Sequence, residues 1–224
     1  MKLYSYVIVA DTGFAPNPYG GYATLATCKP KIRKSAQPGD WIVGTGSVGG
    51  VGAGRLVYAM LVDQVVSLAE YGSNPAHVAK QPDLRGNNQR RAGDNIYFKD
   101  AAGEWHQRES FHTAEHVGRD LSGRNCLIGR EFYYFGAHAV RLPDDLRAVA
   151  NDGHPGHRCR FEPELVDRLV AWLRANHKPG IHGKPYNNES CAKQQVVECE
   201  AASVDSDQDC SVAVASDAKT GTEC

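Results

Sequence analysis

The stretch WIVGTGSVGGVGAGRLVYAMLV, residues 41–62, decides the fold class. Its first six residues are mostly apolar and predict a strand. Residues 54–67 predict a longer strand, on which alternate side chains share one face: Leu56, Tyr58, Met60 and Val62. Residues 46–54 between them are too rich in glycine for regular structure and predict a flexible hairpin loop. Two strands joined in this way indicate an antiparallel pairing.

Working outward from this hairpin, the same criteria predict further strands at residues 2–10, 93–100 and 126–136. Residues 29–40 predict a short basic helix, and residues 161–180 predict a helix with an apolar stripe. No regular alternation of strand and helix indicates a parallel doubly wound sheet. The sequence therefore predicts an α+β fold, a small curved antiparallel or mixed β-sheet or barrel with a short basic helix and a C-terminal helix.

The charge is distributed unevenly along the 224 residues. Residues 190–224 hold seven acidic and two basic side chains, so that against the total of −1 residues 1–189 carry +4. The tail has no aromatic residue, and we expect one domain at residues 1–186 followed by a disordered acidic tail at 187–224. No apolar run is long enough to cross a membrane, and the seven cysteines show no recurrent spacing. We expect a cytoplasmic protein with reduced thiols and no membrane partner.

Basic side chains fall in two groups that could bind a polyanion. Cationic side chains near the start of the predicted helix would attract phosphate. The alternative is that these side chains only form the solvated face of the helix. The residues expected to bind nucleic acid are Lys29, Lys31, Arg33, Lys34, Arg85, Arg90 and Arg91.

Two polar loop segments, residues 11–17 and 84–97, combine carboxylates, amides and aromatic rings. Recognition of a flipped base requires rings that stack on it and side chains that hydrogen-bond its edge. Formation of turns by Asn and Asp is the alternative. The expected base pocket comprises Asp11, Phe14, Asn17, Tyr22, Asp94, Asn95 and Tyr97.

Three residues, two of them in the expected base pocket, could be catalytic. Asp11 or Asp94 would act as general acid or base if burial raises its pKa towards neutrality. Cys28, beside Lys29 at the predicted helix start, is the candidate nucleophile, with a buried small apolar residue as the alternative.

Histidine spacing gives two weak metal motifs. His112 and His116 are four residues apart but lack the Glu of HExxH, and His154, His157 and Cys159 lack a nearby fourth ligand. The glycine-rich residues 44–54 lead into a strand, whereas a dinucleotide fingerprint leads into a helix. The sequence therefore indicates no metal and no cofactor.

The run YSYVIVADTGFAPNPYGGYATLATCKPKIRKSAQPGDWIVGTGS, with GRLVYAMLV and LRG…GDNIY after it, resembles the nucleotide modification associated domain of the second type, a bacterial and phage family. The likeness spans residues 4–136. It implies association with systems that modify DNA bases. The order basic helix, GDWIVG and long strand also resembles PUA- and EVE-like barrels, which hold a modified or flipped base.

These observations lead to three hypotheses. The first is a domain that binds nucleic acid, DNA in preference, and holds a modified or flipped base. The second is an enzyme that modifies a base or nucleotide in the same pocket. The third is an interaction module that captures DNA-modification proteins through its acidic tail.

Overall fold

The computed structural model describes residues 1–151 and 156–187. The expected disordered tail and His154 therefore lie outside the described residues, apart from Asn187. The strands are β1 Leu3–Ile8, β2 Ala23–Leu25, β3 Trp41–Gly46, β4 Arg55–Leu61, β5 Gln64–Ser67, β6 Tyr97–Lys99, β7 Trp105–Gln107, β8 Asn125–Gly129, β9 Phe132–Tyr134, β10 Val140–Arg141, β11 His157–Arg158 and β12 Gly180–Ile181.

The α-helices and 3-10 helices are short except for the last one. The α-helices are α1 Pro30–Ser35, α2 Leu68–Ser73, α3 Asn88–Arg91, α4 Val117–Ser122 and α5 Pro163–Asn176. Turns of 3-10 helix lie at Pro75–Lys80, Ala114–His116, Gly136–His138 and Asp144–Val149.

The largest sheet is mixed. In the described part of the chain its order is β11-β1-β3-β4-β9-β12, with β10 also pairing with β4. The β1–β3 and β9–β12 pairs are parallel, while the β3–β4 pair is the antiparallel hairpin that residues 41–62 predict.

Two smaller sheets accompany it, β2-β8-β5 and the β6–β7 hairpin. Within residues 1–151 and 156–187 none of the sheets closes into a barrel. The α+β class and the mixed sheet are confirmed, whereas the expected barrel is not present in this part of the chain.

Side chains alternate between the two faces of the large sheet, and each face packs against different elements. One face of the large sheet, including Leu3 of β1 and Trp41 of β3, packs against Leu169 and Leu173 of α5. The opposite face packs against β2, β8 and α1, and its side chains include Tyr4, Tyr6, Ile8, Tyr58 and Tyr134. The chain therefore places α1, and the turn before it, against the tyrosine-rich face of the large sheet.

Two segments expected to be single strands are each divided between the sheets. Residues 54–67 form β4 and β5, and residues 126–136 contain β8 and β9. The backbone N–H of Asp63 donates to Ile128 (2.8 Å), and the Asp63 carboxylate accepts from the N–H of Arg130. Both segments cross between sheets at this contact, which the alternation of side chains within one segment does not reveal.

The predicted C-terminal helix is confirmed as α5, with Pro163 in its first turn. Among the helices described, none has the length and apolar composition of a membrane span. Cys159 is disulfide-bonded, so the expectation that all thiols are reduced is wrong for this residue, and it is not available as a metal ligand.

Candidate active site

The turn between β2 and α1 holds Cys28 in an unusual backbone conformation. Cys28 and Lys29 have φ angles of 54° and 37°, in the left-handed region that side chains other than Gly rarely adopt. The turn is held at both polar groups of Cys28: its N–H donates to Oδ1 of Asp120 (2.8 Å), and its carbonyl accepts from Nε of Arg33 (2.7 Å). Such strain persists where surrounding bonds fix it, and here it sets the position of a partly exposed thiol.

Three side chains form a compact relay at this turn, Cys28, His112 and Asp120. Sγ of Cys28 lies 3.6 Å from Nε2 of His112, and Nδ1 of His112 lies 2.5 Å from Oδ2 of Asp120. The thiol and the carboxylate therefore occupy opposite nitrogens of one imidazole. This is the arrangement of a nucleophile, a base and a group that orients the base.

The two inner members of the relay are buried. His112 is 4% exposed and Asp120 0%. The imidazole lies between the edge-on ring of Phe14, with centroids 4.8 Å apart, and the stacked ring of His116 at 4.2 Å. The hydroxyl of Tyr97 donates to Oδ2 of Asp120 (3.0 Å), so the carboxylate is fixed from a second side.

The electrostatics keep the Asp120 carboxyl ionised. Burial raises its pKa, but the hydrogen bond and charge of His112, the charge of Arg33 and the N–H of Cys28 together outweigh burial and leave the pKa below its ordinary value. The ionised carboxylate on Nδ1 fixes the orientation of the imidazole and leaves Nε2 directed at the Cys28 thiol.

Arg33 does not present its charge to solvent, although the sequence suggested that it binds phosphate. It is 0% exposed, and besides Cys28 its guanidinium donates to the carbonyls of Asn125 (2.8 Å) and Asp120 (2.5 Å). These bonds join the Cys28 turn, α4 and β8, so the role of Arg33 is internal. Gly123 allows this packing, because a Cβ there would lie 2.5 Å from the guanidinium.

The relay residues could also hold a metal ion. The candidate ligand atoms of Cys28, His112 and Asp120 lie within 4.8 Å of one another. If Asp120 keeps its bonds to Nδ1 and to the N–H of Cys28, then the direct ligands left within this cluster are Sγ and Nε2. A structural zinc site has four ligands, so the geometry suits a catalytic relay better than a metal centre.

Asp11 follows β1 and lies on the tyrosine-rich side of the large sheet. Its side chain is 2% exposed; Oδ1 accepts from the Tyr134 hydroxyl (2.5 Å) and from the N–H of Gly13 (3.1 Å). The N–H of Tyr186 also faces the carboxyl, yet Oδ2 is buried without a well-formed hydrogen bond to any described residue. Burial raises the pKa of Asp11 to about 6, although the hydrogen bonds to the carboxyl act in the opposite direction and lower the pKa.

Tyr6 connects Asp11 with the relay. Its hydroxyl lies 3.0 Å from that of Tyr58, and the ammonium of Lys29 lies 4.6 Å from its ring centroid. Burial is the largest cause of the raised pKa of Tyr6, and the charges of Cys28 and Asp11 both add to it.

Phe14 and Tyr97 of the expected base pocket contact the relay, whereas Asn17, Tyr22, Asp94 and Asn95 belong to a separate, largely buried network. Asp94 accepts from the hydroxyls of Thr24 and Tyr71 (both 2.7 Å), and burial raises its pKa. The remaining polar side chains are bound within the protein as follows: Asn17 to Ala92 and Lys80, Asn95 to Tyr71 and Arg108, Tyr22 to His77. Their hydrogen bonds fasten loops to one another.

The basic residues divide by exposure. Lys31 and Lys34 on α1 are exposed, as are Arg85 and Arg90, and Arg90 pairs with Asp83 at 3.5 Å. Lys29 and Arg91 are half-buried. The exposed charges nearest in sequence to Cys28 are therefore those of α1.

The sequence-based reasoning singled out Cys28 and His112 but did not connect them, and it missed Asp120. Cys28 and His112 are 84 residues apart, and the His spacing pointed to a metal pair. Asp120 lies in a helix of ordinary polar composition. A cysteine together with a distant histidine is the signal that could have prompted the search for this site.

Comparison with known proteins gives one match. The family model described as nucleotide modification associated domain 2 matches residues 1–193. No curated protein and no solved structure matches significantly.

Proposed function

The chain belongs to the nucleotide modification associated domain 2 family, and on that premise we propose that it is an enzyme that modifies a nucleotide or a nucleic-acid base through a covalent bond to Cys28. The family places the protein in nucleotide or DNA modification. The relay of Cys28, His112 and Asp120 suggests the type of reaction, nucleophilic attack by the Cys28 thiol.

The observation that carries the proposal is the order of atoms, Sγ to Nε2 and Nδ1 to Oδ2. In the proposed mechanism His112 takes the thiol proton through Nε2, and the Cys28 thiolate attacks an electron-poor carbon of the substrate. Asp120 holds Nδ1 protonated and stabilises the imidazolium. When the covalent intermediate breaks down, His112 can return the proton to the leaving group.

Charges near the thiol support an anionic substrate. Lys29 follows Cys28 directly, and Lys31 and Lys34 are exposed on the helix that begins two residues after it. Phosphate groups of a nucleotide or of DNA would be attracted to these side chains. Nucleic acid or a free nucleotide is therefore the proposed partner.

The experiment incubates the full chain with host DNA, with unmodified amplified DNA and with the common deoxynucleotides. Nucleosides and intact protein are then analysed by mass spectrometry. We expect a new nucleoside or a protein adduct at Cys28, lost in Cys28→Ser and kept in Cys126→Ala, which removes a buried thiol outside the relay. A product that persists in Cys28→Ser would contradict the proposal.

Binding of a modified or flipped base without chemistry is the second candidate, and exposed Lys31, Lys34, Arg85 and Arg90 favour it. A PUA- or EVE-like mode of base capture belongs to this alternative. It expects tighter binding to native host DNA than to an amplified copy, in wild type and Cys28→Ser alike. Equal binding to the two DNAs would argue against it.

A further inference from the structure

Asp11 has a buried carboxylate oxygen that no described residue satisfies. The carboxyl is 2% exposed; Oδ1 has two hydrogen bonds, whereas Oδ2 has none of good geometry, although the backbone N–H of Tyr186 faces the carboxyl. Buried polar atoms are normally paired, so an orphan of this kind needs an explanation such as a catalytic role. A substrate that brings a hydrogen-bonding atom to Oδ2 would supply the missing partner.

The segment after β1 places this carboxyl close to the relay. Phe14 packs on the imidazole of His112, and Phe14 is three positions after Asp11, so that their Cα atoms lie within about 11 Å. Tyr6 lies within electrostatic reach of both Asp11 and Cys28. Asp11 and Cys28 therefore border the same tyrosine-rich side of the large sheet, next to Tyr6.

The Cys28 turn also limits the reaction type. In thiol-dependent acyl transfer, backbone N–H groups near the nucleophile stabilise the oxyanion that forms on the attacked carbonyl. Here the N–H of Cys28 already donates to Oδ1 of Asp120 at 2.8 Å. A reaction in which the negative charge moves away from the attacked carbon, through a conjugated ring, does not need that donor.

From these contacts we propose that Asp11 and Cys28 act on the two sides of one pyrimidine ring, the thiolate adding to carbon 6 while Asp11 protonates the carbon 4 oxygen of a uracil or nitrogen 3 of a cytosine. This proposal rests on the proposed function and names its substrate class. Carbon 6 of a pyrimidine is electrophilic because its double bond is conjugated with the polar group at carbon 4.

The step is balanced without a further reactant. The sulfur–carbon 6 bond forms, the carbon 5–carbon 6 π bond breaks, and its electron pair moves towards carbon 4 as the ring accepts the proton of Asp11. Carbon 5 of this enol-like intermediate takes a deuteron from solvent while the proton on the ring returns to Asp11. Loss of the original carbon 5 hydrogen to solvent as a proton, with Asp11 again protonating the ring, regenerates the intermediate. Reversal expels the thiolate, returns the proton to Asp11 and leaves the pyrimidine unchanged except for the exchanged hydrogen.

The test follows this exchange. The full chain is incubated in heavy water with dCMP, with dUMP and with a single-stranded oligonucleotide of mixed sequence, and deuterium at carbon 5 is measured by mass spectrometry and NMR. We expect exchange in at least one of them, abolished in Cys28→Ser. In Asp11→Asn we expect it to be reduced by about 100-fold, the scale of a positioned acid or base.

Asp40→Asn is the matched control, because Asp40 is also a buried carboxylate but its oxygens accept from the N–H groups of Lys2 and Gln37. Asp11→Glu, which keeps the acid, should retain more exchange than Asp11→Asn. Unchanged exchange in a folded Asp11→Asn would overturn the role of Asp11. Absence of exchange in all three substrates, while iodoacetamide still alkylates Cys28 rapidly, would overturn this inference and leave the relay intact. Slow alkylation as well would overturn the proposed function.

Discussion

Nε2 of His112 lies 3.6 Å from Sγ of Cys28, although the two residues are 84 positions apart in the sequence. Both residues are held in their positions by specific contacts. Two bonds fix the backbone of Cys28, and two aromatic rings and the Asp120 carboxylate fix the imidazole. The functional proposals depend on this one contact.

Arg33 should be a stability residue. Arg33→Ala would leave three buried carbonyls without their charged donor, and we expect the free energy of unfolding to fall by about 3–5 kcal/mol in a urea titration. Lys34→Ala, on the exposed side of the same helix, should stay within about 0.5 kcal/mol of wild type. Similar unfolding free energies for the two variants would show that the guanidinium is not bound as described.

Two glycines near α4 should respond in opposite directions to alanine. In Gly123→Ala the new Cβ would meet the fixed guanidinium of Arg33, so we expect lower stability and slower alkylation of Cys28. In Gly118→Ala the Cβ meets nothing within 4 Å, and the gain in helix propensity should stabilise the protein by about 0.5–1 kcal/mol. Thermal unfolding measures both, and a stabilising Gly123→Ala would contradict the packing of Arg33.

Asp11 predicts a pH-dependent effect on stability. Its pKa is raised from 3.8 to about 6 by burial, so between these values the folded state holds the proton more tightly and stability falls as pH rises. Above about pH 6 the full cost applies, at most roughly 3 kcal/mol. Asp11→Asn should therefore gain stability relative to wild type at pH 8 and lose that gain near pH 4. Urea titrations giving the same difference at both pH values would contradict the raised pKa.

The elements that the sequence predicts correctly are those whose hydrophobic pattern lies within one continuous segment. The apolar stripe of α5 and the hairpin of residues 41–62 both appear in the structure because one face of each is buried along its whole length. Residues 54–67 and 126–136 were expected to be unbroken strands. Their division depends on Asp63, whose contacts with residues 128 and 130 are not visible in either segment alone.

The site was less predictable than the fold. The sequence gives no way to tell which basic side chains of α1 are exposed, because Lys31, Arg33 and Lys34 form one run of charges. The packing of α1 on β8 and α4 buries the arginine and leaves the two lysines exposed. Asp94 and Asp11 are both carboxylates in turn-rich segments. The structure distinguishes them because both oxygens of Asp94 have hydroxyl donors, whereas one oxygen of Asp11 has no well-formed hydrogen bond to a described residue.

The most direct measurement is the rate at which iodoacetamide alkylates Cys28 near pH 6, where an ordinary thiol with a pKa of about 8.5 is almost fully protonated. Peptide mass spectrometry separates Cys28 from buried Cys126, and His112→Gln, Asp120→Asn and the control Asp40→Asn are compared with wild type. The account predicts rapid alkylation of Cys28 in wild type and Asp40→Asn, and a rate lower by at least about 10-fold in the two relay variants. Equal rates in wild type and His112→Gln would contradict this account, because the imidazole would then have no effect on the reactivity of the thiol.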